Sequence, residues 1–403
     1  MSFPSFFVGL TVFGAALAGE DPSDALRENT VGGVATPAGE LPLDLPPPIV
    51  VDSGGLAYPA LSYAAAEVLK VDIVFADRCR RAVDLIYARK YKDAKRELEA
   101  LTVDSPTTGI GPAGMAVIYQ ALMFENFDFR YEQEYRAAHS AALAQISEGL
   151  RSPGNEPIEY FLQAGMSGIQ GIHDMRRGQF LSAIGHGYDC VTSLVEAKRA
   201  APDFVDPLMG DGMYMYWRTV VARTTALIPD GADDRAAGKD LIRRVEKDGV
   251  LMGPAATLAL TYSYIEDNDL RNALGRVMYG RLKYPDNVIN NLTAGRVLTS
   301  MARYDEAVKM YQEVLTVAPD NQRTHYHLGV VYARKRAFPE AEASFKRYVG
   351  FPEVQPDYRG QAWYRLGLLY ARESRVEDAR AAYTEAVRVS DNSAAQKALA
   401  KLP

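Results

Sequence analysis

The chain has 403 residues, 48% of them hydrophobic and 24% charged, which suits two or three conventional domains or one extended array with a continuous core. Its net charge of -6 gives no reason to expect nucleic acid or an anionic membrane surface as a partner. From Thr293 onward 17 Lys and Arg face 13 Asp and Glu, an excess of +4 that leaves about -10 on residues 1–292; a solvated basic face explains this before an acidic partner does.

The N-terminus, "MSFPSFFVGLTVFGAALAGEDPSD", is uncharged from Met1 to Gly19, with an apolar core from Phe6 to Leu17 and Ala16-Leu17-Ala18 at its end. An apolar run closed by small residues in the A-x-A arrangement is the pattern of a secretory signal peptide, so residues 1–18 are expected to be removed after Ala18. The competing reading is an uncleaved anchor, although the run is short for a full span. No Cys follows the run, which disfavours a lipid anchor. No later segment reaches about 18 uninterrupted apolar residues, so no membrane span is expected in the mature chain. Residues 19–57, densest in "LPLDLPPPIVVDSGG", are rich in Pro, Gly and acid and read as an extended or disordered linker.

From Tyr58 apolar residues recur at i, i+3, i+4 and i+7 between short Pro, Gly or Asp stops, with no alternating strand pattern, so the folded part is expected to be all-α. Residues 58–250 read as irregular helical hairpins. One, "CRRAVDLIYARKYKDAKRELEALTVDSP", sets Ala82 and Ala94 twelve apart; another, "FLQAGMSGIQGIHDMRRGQFLSAIGHGYDCVTSLVEAKRAAPD", does the same with Gly171 and Ala183. Residues 251–392 hold four units with a measurable period. Ala273, Ala307, Ala341 and Ala379 are separated by 34, 34 and 38 residues. Twelve positions before each stand Thr261, Gly295, Gly329 and Gly367, and four positions after stand Val277, Tyr311, Phe345 and Tyr383. Residues 393–403 read as a capping helix and tail.

This pattern resembles the tetratricopeptide repeat family, whose period is 34 and whose signature is W-x2-L-G-x2-Y, then A-x3-F, then P. The unit "WYRLGLLYARESRVEDARAAYTEA" matches with Trp363, Leu366, Gly367, Tyr370, Ala379 and Tyr383; the unit before it matches with Leu328, Gly329, Tyr332, Ala341 and Phe345. The resemblance implies a right-handed superhelical solenoid of antiparallel helix pairs, with a concave groove lined by the first helix of each pair. Carried over position by position, the groove residues are Leu258 and Tyr262, Leu292 and Arg296, Tyr326, Val330 and Arg334, then Tyr364, Leu368 and Arg372. Family members that bind chaperone tails present Lys and Asn to a terminal carboxylate. Here the matching sites hold Tyr and aliphatic residues, which disfavours that partner.

Candidate chemistry is sparse. His325 and His327 in "THYHLGVVYARK" lie about 200° apart around a helix, so they cannot share a metal; His325 takes the position that Trp363 holds in the next unit. His173 and His186 lack a third ligand and read as structural. The acidic "IEDNDL", 265–270, lacks the Gly and distal Glu of a calcium loop and reads as a solvated turn. "NLT" at Asn291 is a formal glycosylation sequon inside an expected helix. Cys79 and Cys190, two hairpins apart, are expected as free, buried thiols. No Gly-rich phosphate loop, nucleophile elbow or triad spacing is present, so neither catalysis, cofactor nor metal is expected.

The expected function is therefore that of an exported, non-catalytic scaffold in a bacterial periplasm or envelope, holding a protein or extended peptide through Tyr262, Arg296, Tyr326, Arg334, Tyr364 and Arg372. The alternative is a small-ligand or glycan-binding protein that uses the aromatic stretch "GDGMYMYWR", with Tyr214 and Trp217 three apart on one face. An enclosed pocket near that stretch would favour the alternative.

Overall fold

A computed structural model describes residues 56–224 and 232–403. The signal segment, its cleavage site at Ala18 and residues 19–55 of the linker lie outside the described residues. Among the described residues there are eighteen α-helices and no strand. In chain order they are α1 (Pro59–Leu69), α2 (Ile73–Tyr87), α3 (Tyr91–Asp104), α4 (Ile110–Asn126), α5 (Glu132–Gly149), α6 (Glu156–Arg176), α7 (Phe180–Ala200), α8 (Leu208–Thr224) and α9 (Arg235–Asp248). They continue as α10 (Gly253–Glu266), α11 (Leu270–Lys283), α12 (Val288–Ser300), α13 (Tyr304–Val317), α14 (Gln322–Lys335), α15 (Phe338–Val349), α16 (Pro356–Arg372), α17 (Val376–Ser390) and α18 (Ser393–Leu399). From α2 to α17 they form successive antiparallel pairs, an all-α solenoid.

One backbone device makes the pairs. The first helix ends on a residue with left-handed φ: Arg89, Phe127, Gly178, Asn268, Ala302, Arg336 and Ser374, with φ between 56° and 73°. In each of the seven turns the next amide donates to the carbonyl five residues back at 2.8–3.1 Å, as Lys90 does to Leu85 and Arg375 to Tyr370. That bond satisfies a carbonyl the helix end would otherwise leave open. Six of the seven residues are not glycine, at a cost of about 1 kcal/mol each.

Small residues then let the two helices approach. Ala94, Ala273, Ala307, Ala341 and Ala379 have no exposed surface. A Cβ built on Gly295 would stand 2.4 Å from the Tyr311 ring, on Gly329 2.6 Å from Phe345, and on Gly367 2.4 Å from Tyr383. The rings occupy the space these glycines leave, which is why small and aromatic positions recur together in the sequence.

The described chain divides into two compact units, residues 56–121 with 131–287, and residues 122–130 with 288–403. In unit 1 segments remote in sequence are tied together. Arg80 in α2, 2% exposed, donates to the Val250 carbonyl at 2.9 Å and pairs with Asp84 at 3.0 Å. The Tyr284 hydroxyl donates to Asp84, and Asn287 donates to the Tyr87 carbonyl at 2.8 Å. On the other side of the same loop the fully buried Asp206 accepts the amides of Val250, Leu251 and Met252 at 2.7–2.8 Å. A cation on its carbonyls and an anion on its amides hold residues 249–252. In consequence α2 meets the α9–α10 loop and the end of α11, so the first and last pairs of unit 1 join.

In unit 2 the C-terminal carbonyls of α4 are collected by side chains at the starts of α14 and α16. Arg323 donates to Phe124 O, Asn321 to Glu125 O, Gln322 to Asn126 O and Gln355 to Phe127 O, at 2.8–3.1 Å. A cation at this helix end also suits its dipole. The unit's core runs through Phe345, Tyr348, Leu366, Leu369 and Tyr383 to Ala395 of α18, which covers the last pair.

Candidate functional site

The groove positions divide sharply by burial. In unit 2, Arg334 and Arg372 are exposed, and Arg296, Val330, Tyr364 and Leu368 are half-buried. Tyr326 is 6% exposed, with its ring 5.2 Å from Tyr348 and 5.9 Å from Phe345, and its hydroxyl accepts from Arg365 Nε at 2.8 Å. It is a core residue rather than a binding residue, because the following pair covers it. In unit 1, Tyr262 is 2% exposed and is likewise core. The exposed set in unit 2 is basic. Arg296, Arg323 and Arg365 all act on the buried His327, and Nη1 of Arg296 is buried without a hydrogen-bond partner.

Unit 1 holds a half-open cavity of about 420 Å³. The first helices of its pairs supply most of the wall, with Ile86 from α2, Val117 from α4, Ile169 from α6, Met213 from α8 and Ala255 from α10. Tyr214 lines it, and Trp217 does not. Trp217 is fully buried, edge-on to Tyr216 at 5.1 Å. It therefore serves the packing of α8 and cannot be the binding platform expected of it. Cys79 and Cys190, both free, face this one cavity. Burial raises both thiols, Cys190 to about 12, which keeps them protonated and unreactive. Cys79 is buried, while Cys190 is only partly so.

The groove residues of unit 2 lie in recognisable repeats. Residues 292–358 and 353–397 match the family model described as "Tetratricopeptide repeat". Residues 292–397 are tetratricopeptide repeats. The human IFIT1 dimer with m7Gppp-AAAA is similar at TM-score 0.50 and 12% identity, over 87% of this chain and 85% of that one, a likeness that shows the fold alone. A tetratricopeptide repeat protein from Parabacteroides merdae ATCC 43184 is similar over 70% of this chain and 97% of that one, at TM-score 0.40 and 14% identity. No curated protein matches the sequence.

Other repeat-region candidates resolve into structure. Among the described residues no group of three His, Cys, Asp or Glu side chains is placed to hold a metal ion. Asp267, in the acidic turn, accepts from Arg235 at 2.7 Å and from Tyr216 at 3.0 Å and pairs with Lys239, while Asp269 caps α11 through Asn272 N. That turn is at the surface, as expected, and its Asp267 is also ion-paired. Asn291 is 1% exposed inside α12, which closes the sequon to modification. His325 stacks on Phe351 at 5.7 Å and His327 on Tyr311 at 5.6 Å, so the neighbouring histidines serve different packing contacts.

Proposed function

We propose that the chain is an exported, non-catalytic scaffold of a bacterial periplasm or envelope that holds an extended, acidic peptide of a partner protein against the repeats of unit 2. The observation that carries this reading is the exposure of Arg334 and Arg372 at the same position of successive repeats, beside half-buried Arg296, Val330, Tyr364 and Leu368. Arginines next to apolar patches and an aromatic ring supply both the charge and the anchoring surface that peptide recognition uses. Export is supported by the uncharged apolar run that ends at Ala18. The net charge of -6 argues against a nucleic-acid partner.

The test is capture from an envelope extract on immobilised chain, wild type beside the Arg334→Glu, Arg372→Glu double variant. A protein held by the first, released by salt and lost from the second by at least about tenfold is the expected result. Equal capture by both would overturn the groove assignment. N-terminal sequencing of the mature protein is expected to start at Gly19, and an intact Met1 would rule out cleavage.

A further inference from the structure

The unit 1 cavity shares no lining residue with the unit 2 groove, and its chemistry is different. We propose that it binds one unbranched alkyl chain, of the kind a long-chain fatty acid carries.

Size comes first. A methylene takes roughly the 30 Å³ share of a water molecule, and a 150 Å³ apolar cavity accommodates one benzene, so 420 Å³ corresponds to about 14 to 18 carbons. A helix with its side chains is about 10–12 Å across, so a single turn would fill the same space. A peptide helix is therefore too bulky to be the occupant.

Polarity comes second. The carboxylate of Asp206 reaches the wall, but its oxygens already accept the amides of Val250, Leu251 and Met252. The other lining residues with polar side chains are Tyr87, Tyr214 and the two free cysteines, and none is Lys, Arg, Ser, Thr, Asn or Gln. An extended peptide or a glycan would bring more donors and acceptors than these can satisfy, and each stranded group is costly. An alkyl chain brings none.

The wall is also adaptable. Met166, Met209, Met213 and Met252 line it, four of the chain's 12 methionines within one cavity. Unbranched thioethers re-pack around a flexible ligand more readily than branched side chains do. On α6 the wall is opened by glycine: a Cβ on Gly165 would meet nothing within 4 Å, and one on Gly168 would reach only the Cys190 sulfur, at 3.6 Å.

The experiment is calorimetric titration of the full chain with saturated fatty acids of about 8 to 20 carbons, compared with Gly165→Leu and Gly275→Leu. The expected affinity rises about fourfold per methylene and stops rising at about 14 to 18 carbons, where the cavity is full. Gly165→Leu puts its side chain into the cavity and is expected to weaken the best acid at least about tenfold. Gly275 lies on α11, away from the cavity wall, and a Cβ there also meets nothing within 4 Å, so Gly275→Leu is expected to bind as wild type. If Gly165→Leu fails to fold, Ile169→Trp, from a half-buried position on the same helix, fills the space instead. The proposal is overturned if no acid binds saturably, if affinity climbs with length without a ceiling, or if the filled variants bind as well as wild type.

Discussion

His173 has no exposed surface and stacks on Tyr135 at 4.9 Å. Burial first, then Arg176 and Arg136, push its pKa down to about 4. The carboxylate of Glu132 is 3.5 Å away, yet Arg136 and Arg177 already hold it, so it does little to restore the ring's basicity. The unfolded chain returns the ring to about 6.5 and so binds the proton first. His173 therefore costs the fold nothing above that value and about 1.4 kcal/mol per pH unit between 6.5 and 4. His327 adds to the same acid loss, its pKa lowered by burial and then by Arg323, Arg296 and Arg365. Glu159 opposes it: burial raises its pKa to about 7, so its contribution is present at low pH and lost as pH rises toward 7. His173→Phe keeps the ring stack and removes the titration. Urea unfolding at pH 6.5 and 5.0 is expected to show the variant losing about 2 kcal/mol less than wild type across that interval. Identical losses would mean that His173 is protonated in the fold.

Gly295, Gly329 and Gly367 meet Tyr311, Phe345 and Tyr383 in the same way in three successive pairs, so one substitution tests the element. Gly367→Ala drives a methyl into the Tyr383 ring and is expected to cost about 1–3 kcal/mol in chemical denaturation. Gly275→Ala, where a Cβ meets nothing, is expected to be neutral or to gain up to about 1 kcal/mol from helix propensity. Equal effects at the two sites would remove close approach as the reason for the repeat. These glycines, with the buried alanines, were legible in the sequence because each position admits few side chains. The left-handed turns were not legible, since residues such as Arg89, Ala302 and Ser374 carry no signal for positive φ. Burial at the groove misled for a related reason. Helical phase indicates which way Tyr326 faces, but not that the next pair covers it, as Arg365 shows by bonding Tyr326 from α16. The cavity draws its wall from Cys79 to Ala255; the stretch "GDGMYMYWR" pointed toward it through Tyr214, while the other wall residues lie too far apart in sequence to be read together.

Unit 1 depends on contacts that span 170 and 200 residues of sequence, those of Arg80 with Val250 and of Tyr284 with Asp84. A solenoid is otherwise held by nearest-neighbour contacts, so its ends open independently; joining them makes the closing segment as stable as the array. Arg80 is the group on which this rests. Arg80 is 2% exposed, and its guanidinium lies 5.5 Å from the Tyr58 ring centroid and is the positive partner of Asp84. Arg80→Met keeps much of the volume but leaves Asp84 buried without its cation, a loss of about 3–5 kcal/mol. Asp206 would still accept the amides of Val250, Leu251 and Met252, so the loop is expected to loosen at its carbonyl side rather than detach. Hydrogen exchange reads this directly. The amides of 249–252 and the ends of α2 and α11 are expected to lose protection in Arg80→Met, while those of α14 to α17, in the other unit, keep theirs. Uniform loss across both units would mean that the chain unfolds as one body and that the joined ends stabilise more than the unit that contains them. Unchanged exchange at 249–252 would show that Asp206 alone holds the loop.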